Sequence, residues 1–279
     1  INIIGDHAEW HLEFDAPLTS DLEGHVRLHS DWFEKSLSPS NLGELGSVAC
    51  LEARRGWGKI ASIIVPANHS WEIGQEIKQK MPSLTQLKTV NSSSIERVAS
   101  LLKTEKKRAI VLGNWGLSPA AVKYANTIAL ETKADLLCET FFPRVYRGAG
   151  QVKISRIPYF AELAINFLAK YEEIYLVGAK EPVGFFAYPD IPSRLSSKSC
   201  SIVKFASKDE DVEQALQDLY DELGLKNHTN VSICNEGRVS SVTLDEISVS
   251  CIISEFLPEN SIISFKKGSN PFKLWLLSK

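Results

Sequence analysis

The sequence lacks most of the features that would mark a specialised class. Its five cysteines, Cys50, Cys138, Cys200, Cys234 and Cys251, show no CxxC spacing, and their odd number argues against a disulfide framework. They read as small buried hydrophobes in a reducing cytosol. No stretch reaches the ~18 apolar residues that a bilayer span needs, so no membrane partner is expected. No signal peptide is visible, and the chain opens on Ile1 rather than on methionine. Basic charge is not in excess either: 31 Lys and Arg stand against 34 Asp and Glu, for a net charge of −3. That balance excludes a strongly cationic surface for nucleic acid or anionic lipid. The densest basic run, Lys103–Arg108, reads as a solvated helix end.

What remains is an ordinary α/β composition, 44% hydrophobic and 23% charged over 279 residues, enough for about two domains. "INIIG" opens the chain as a buried β-strand ended by glycine. Residues 40–55 predict a helix with apolar positions Leu42, Leu45, Val48, Ala49 and Ala53, and Ile60–Val65 predicts a second buried strand. From about Pro66 to Val90 periodicity fades into a linker, with the next helix starting at Ser94. Strands then alternate with helices: strand 108–113, helix 119–132, strand 134–139, helix 158–170, strand 173–178, strand 201–205 and helix 209–223. Uninterrupted apolar strands between amphipathic helices predict a parallel sheet covered on both faces, a doubly wound, Rossmann-like domain. It is preceded by the C-terminal part of a second α/β domain. Residues 224–242 read as another linker, and Thr243 with Glu246 as the capping box of a further helix.

Three stretches suggest chemistry. His7, His11, Asp15, Asp21, Glu23, His25 and His29 crowd the opening segment. "HAEWH" lacks the glutamate placement of HExxH, so metal ligation is the weaker reading. A polar loop at the C-terminal end of a strand, either a ligand loop or plain surface, is the stronger. "VLGNWGLSPAAV" sets Gly113, Asn114, Gly116 and Ser118 between a strand and a helix, where backbone N–H groups could hold an anion. Its spacing is GxxG, neither a GxGxxG nor a Walker A loop, and a tight structural turn explains it equally. "ETFFPRVYRGAG" and "VGAKEPVGFFAYPDIPSRL" combine aromatics with Arg or Lys after strand ends. Such stretches suit a planar or anionic ligand, or a domain interface.

Taken together, "NIIGDHAEWHLEFDAPLTSDLEG", "IASIIVPANHSW", "ETFFPRVYRGAG", "RIPYFAELAINFLA" and "LVGAKEPVGFFAYPDIPS" resemble thiamine diphosphate-dependent enzymes of the acetolactate synthase and 2-oxo acid decarboxylase superfamily. The resemblance runs from residue 1 to about 205. It implies three domains in series. Residues 1–70 would be the C-terminal part of the pyrimidine-binding domain, 71–92 a linker and 93–225 the central Rossmann-like domain. Residues 226–242 would be a second linker and 243–279 a truncated start of the diphosphate-binding domain. It also implies a cytoplasmic homodimer or dimer of dimers and a 2-oxo acid substrate. The expected cofactors are thiamine diphosphate and Mg²⁺, whose carbanion chemistry leads to decarboxylation or carboligation. His7, His11, Asp15 and Leu18 are the implied substrate-side residues. Leu18 stands where acetolactate synthases carry a glutamine. The family's activating glutamate and its Gly-Asp-Gly metal motif have no counterpart here, so no turnover is expected of these 279 residues alone. "FPRVYRG" replaces the flavin members' Met-His-Gly stretch, so flavin is not expected. The likeness stops after about Ser264. The alternative reading is a non-catalytic α/β module that binds nucleotide or flavin at the "GNWGLS" turn.

Overall fold

The run "ASIIVP" has no polar side chain larger than serine, and its β-branched residues favour an extended, buried backbone. In a computed structural model, which describes residues 1–55, 58–75, 86–148, 150–226, 246–258 and 260–263, it forms the central strand of the first of two units, Ile1–Lys88 and Thr89–Lys279.

In the first unit, β1 (Asn2–Asp6), β2 (Trp32–Lys35) and β3 (Ala61–Pro66) form a parallel sheet in the order β1-β3-β2. Asn2 pairs with Ser62, and Trp32 with Ala61. Helices α1 (Leu22–His29) and α2 (Leu42–Ala53) make the connections. Alternation along β3 sends Ala61 and Ile63 into a cluster with Leu45 and Ala49 of α2. Ser62 instead meets Asn2 and Ser30 through its hydroxyl.

The second unit is a five-stranded parallel sheet in the order β6-β5-β4-β7-β8. Its strands are β4 (Arg108–Leu112), β5 (Asp135–Cys138), β6 (Ser155–Arg156), β7 (Glu173–Val177) and β8 (Ser201–Ala206). Ile110 and Leu112 of β4 join the core beneath α3 (Ser92–Leu102), α4 (Pro119–Glu131) and α6 (Val212–Glu222). Ala109 and Val111 join the opposite core with α5 (Ala161–Leu168). Both faces of β4 are therefore buried, which explains why its sequence is apolar without alternation. Chain order reverses between β4 and β7, the switch point of a doubly wound sheet. At the opposite, N-terminal ends of these two strands, buried Arg108 and Glu173 form an ion pair of 3.2 Å. The last helix among the described residues, α7 (Glu246–Phe256), falls where a capped helix is expected; Thr243 lies outside the described residues, as do 227–242 and 264–279.

Parallel strands and flanking helices match the expected fold class. The sequence reading left residues 20–36 without regular structure, yet α1 and β2 form there. The apolar signal was weak because Val26 is the single buried residue of α1 and β2 has four residues. The opening loop is also more ordered than expected, with a 3₁₀ turn over Glu9–Phe14.

Candidate functional site

Strand β1 ends at Asp6 and β3 at Pro66, side by side in parallel register. The segments leaving them frame a cleft of about 490 Å³, lined by Gly5, Asp6, His7, Ala8, Trp10, His11, Leu18, Leu22, Ala67 and Trp71. Clefts beyond the carboxyl ends of parallel strands are where α/β folds bind ligands.

Three of the four residues that the resemblance implies on the substrate side, His7, His11 and Leu18, meet there. The His7 and His11 rings lie edge to face, 5.4 Å between centroids. The Nε2–H of His7 donates to the Pro17 carbonyl at 3.1 Å. Leu18 closes the loop. Asp15 does not line the cleft: it ends the 3₁₀ turn in the left-handed region, φ 46°, its N–H bonded to Leu12 O. The other acidic and imidazole groups of the opening cluster lie elsewhere. Asp21 caps α1 by accepting the Gly24 N–H, and Glu23, His25 and His29 lie along that helix. Among the described residues no group of three or more His, Cys, Asp or Glu side chains is arranged to hold a metal ion.

The turn carrying His11 is fixed from behind by groups that sequence reasoning did not single out. His69, 3% exposed, spans from the Ser36 hydroxyl (3.0 Å, at Nδ1) to the Glu9 carboxylate (3.2 Å, at Nε2). A carboxylate can only accept, so Nε2 carries the proton in that bond. Asn68 grips the same residue twice, accepting the Glu9 backbone N–H and donating to its carboxylate, both at 3.1 Å. The Asn68 bond, joined by His69, holds the Glu9 carboxyl below its ordinary range. At the foot of the cleft, Asp6 accepts from Lys35 Nζ at 2.7 Å, which neutralises its charge. The available signal was "VPANHSW", a polar cluster directly after a buried strand.

The second candidate, in the other unit, assembles but is closed on itself. Asn114 donates to Gly178 O at 2.9 Å, and the Gly113 N–H donates to Val177 O at 3.0 Å. A methyl group added at Gly113 would overlap the Glu139 carboxylate and come within 2.8 Å of Gly178 O and Ala179 Cα. One added at Gly116 would come within 2.8 Å of Val177 O. The glycines let the ends of β4 and β7 touch backbone to backbone. Ser118 caps α4 by accepting the Ala121 N–H while donating to Glu213, so a carboxylate of the protein already stands at that helix start. Glu139 accepts the Lys180 N–H at 2.8 Å, and burial raises its carboxyl. These internal contacts tie the ends of β4 and β7 to each other and to Glu139.

No protein-family model matches the chain. It is 30% identical over 261 residues to an acetolactate synthase large-subunit-like protein of Mycobacterium tuberculosis, which covers 94% of this chain and 50% of that protein. The chain thus spans about half the length of this curated relative. Among solved structures it is similar to the thiamine diphosphate-dependent 4-hydroxybenzoylformate decarboxylase of Rhodococcus jostii RHA1, with TM-score 0.68, 13% identity, and coverage of 93% of this chain and 53% of that one. It is also similar to benzoylformate decarboxylase from Polynucleobacter necessarius, with TM-score 0.66, 13% identity, and coverage of 92% and 51%.

Proposed function

We propose that this chain, similar in sequence to an acetolactate synthase large-subunit-like protein and in fold to thiamine diphosphate-dependent decarboxylases, supplies the substrate-side portion of a thiamine diphosphate-dependent enzyme acting on 2-oxo acids, as decarboxylase or carboligase. The observation that carries the reading is the sequence identity sustained over 94% of the chain. The cleft beyond β1 and β3 supports it, because it gathers two imidazoles beside an apolar wall.

Mg²⁺ that carries a diphosphate takes its oxygen ligands from one or two carboxylates, the phosphates and water. Among the described residues no group of three or more His, Cys, Asp or Glu side chains is arranged to hold a metal ion, and the sequence has no Gly-Asp-Gly. No metal–diphosphate site is assigned to the described residues, and no chemical step is routed through one. In the proposed enzyme these residues bind and orient the acid. His7 and His11 face its carboxylate, and the clamp of His69, Asn68 and Glu9 keeps their turn in place. Asp15 and Leu18 belong to the same loop, Leu18 as part of the wall. Mg²⁺, a homodimer or dimer of dimers, and a cytoplasmic location belong to this proposal on the strength of the family resemblance. Among the described residues no helix is long and apolar enough to cross a membrane.

The test is a titration of the chain with 2-oxo acids followed by histidine imidazole NMR. The His7 and His11 resonances should move together, and a bound acid that leaves both unmoved refutes the site. Release of CO₂ from a 2-oxo acid by these 279 residues alone, with thiamine diphosphate and Mg²⁺, would refute the substrate-side assignment.

A further inference from the structure

Two stretches that follow strand ends in the second unit, "ETFFPRVYRGAG" and "VGAKEPVGFFAYPDIPSRL", have no part in the cleft of the first unit. Together with the turn before α5 they build one continuous group of rings. Phe141 meets Tyr159 and Phe185 at 5.8 and 5.4 Å between centroids. Tyr159 meets Phe160 and Phe185 at 5.3 and 5.6 Å. Phe185 meets Phe186 edge to face at 4.6 Å, and Phe186 meets Tyr188 at 6.5 Å. At these separations the rings touch one another directly, which leaves no slot between them for a flat ligand. Tyr159 is half-buried, and the other five are 49–64% exposed.

The rings are held in place although they face water. The Gly184 N–H donates to Ser193 O at 2.7 Å, the Leu195 N–H donates to Pro182 O at 3.1 Å, and Arg194 pairs with Glu181 at 2.7 Å. Leu195 and Ile191 pack into the core that α5 covers. The loop that carries Phe185, Phe186 and Tyr188 is thus anchored at its base while its rings stay outside. An apolar surface already fixed by its scaffold has little freedom left to lose on binding, which favours association.

Each of the five exposed rings offers roughly half of the ~150–250 Å² that an aromatic side chain can bury, so the face presents about 500 Å². Soluble monomers rarely expose more than a few hundred Å² in one apolar patch. The same face on two copies, joined about a two-fold axis, buries about 1,000 Å², the size at which a specific interface begins. Exposed charges of both signs flank the rings in sequence, Arg144 and Lys180 against Glu162 and Asp190, as a self-complementary rim requires. A strongly charged partner calls for one sign only, and a net charge of −3 gives two copies little mutual repulsion.

We infer that this aromatic face of the second unit is an isologous contact between two copies of the chain. The inference goes beyond the substrate-side reading and does not rest on it.

Sedimentation velocity of the full chain, from micromolar to submillimolar concentration, tests it. A concentration-dependent dimer is expected. Phe186→Asp sets a charge on the face and should weaken the dimer at least about tenfold, as loss of a central aromatic anchor does. Its melting temperature should stay within a few degrees of the parent, because the side chain is half-exposed. Phe160→Ser, the more exposed position, should give the same loss with less disturbance of the fold. Phe186→Asp and Phe186→Lys, each monomeric alone, should associate when mixed, because a face that meets itself then brings opposite charges together. A chain that stays monomeric throughout, a dimer that persists undiminished in Phe186→Asp and Phe160→Ser, or mixed variants that remain apart would overturn the proposal. The readout uses no 2-oxo acid. Failure here therefore leaves the substrate-side reading standing, and an imidazole titration without response leaves this face standing.

Discussion

Glu173→Gln should destabilise the second unit more than any surface substitution. Glu173 and Arg108 are each 2% exposed. The carboxylate accepts from Lys106 at 2.6 Å, Tyr175 at 2.7 Å and Arg108 at 3.2 Å. Arg108 in turn donates to Leu101 O and Leu102 O at 3.1 Å, and to Thr104, tying the end of α3 to the start of β4. Removing one member of a buried pair costs about 3–5 kcal/mol because the other charge stays buried. Glutamine keeps one acceptor, and the half-exposed Lys106 can turn to water, so about 3 kcal/mol is expected. For a unit of this size that lowers the melting temperature by about 6–12 °C. The double variant Arg108→Met, Glu173→Leu leaves no orphaned charge and should fall less than Glu173→Gln alone, though it loses the helix-end bonds. The pH dependence has a definite sign. Burial pushes the Glu173 carboxyl up, and hydrogen bonds from Lys106, Tyr175 and Arg108 outweigh it, holding the carboxyl below its ordinary value. Its contribution is complete above the unfolded value of ~4.3 and disappears as pH falls through the folded value. Thermal unfolding followed by circular dichroism at pH 7 and below pH 4 reads both effects. A Glu173→Gln variant within about 1 kcal/mol of the parent, or a double variant as unstable as the summed singles, would refute the reasoning.

Gly113→Ala should cost about 1–3 kcal/mol in denaturant unfolding, because its methyl overlaps the Glu139 carboxylate and crowds Gly178 O. Gly5→Ala, with nothing within 4 Å of the added carbon, should leave stability unchanged. Buried Cys138, its thiol pushed up to about 12 by burial, should resist alkylation at pH 8 until the protein is unfolded; labelling in the native state would contradict this. His69→Phe removes the bonds to Ser36 and Glu9, so amide hydrogen exchange across Glu9–Phe14 should accelerate, while exchange in α2 should not.

The long elements were readable because their burial is written into their composition. β3, β4 and β7 are apolar without alternation, and α3 carries Ile95, Val98, Ala99 and Leu102 at helical spacing. α1 and β2 were not readable, since one buried residue and four strand positions give no period to detect. His7, His11 and Leu18 were picked out from the opening stretch, but Trp71 and the clamp through His69 lie some sixty positions further along. Trp71 reaches the cleft, and His69 reaches Glu9, because β1 and β3 pair.

Local chemistry along the chain thus settled the longer strands and helices, and that the second unit's sheet is parallel and covered; β1, expected to be buried, is instead largely exposed, Ile3 at 77%. Local chemistry could not say what a glycine turn is for. At Gly113 and Gly178 the same residues that would suit a phosphate loop instead let two strand ends touch, with Glu139 and Glu213 placed nearby. Strand order decided that outcome, because it determines which backbone approaches which, and a one-dimensional pattern carries no record of such approaches.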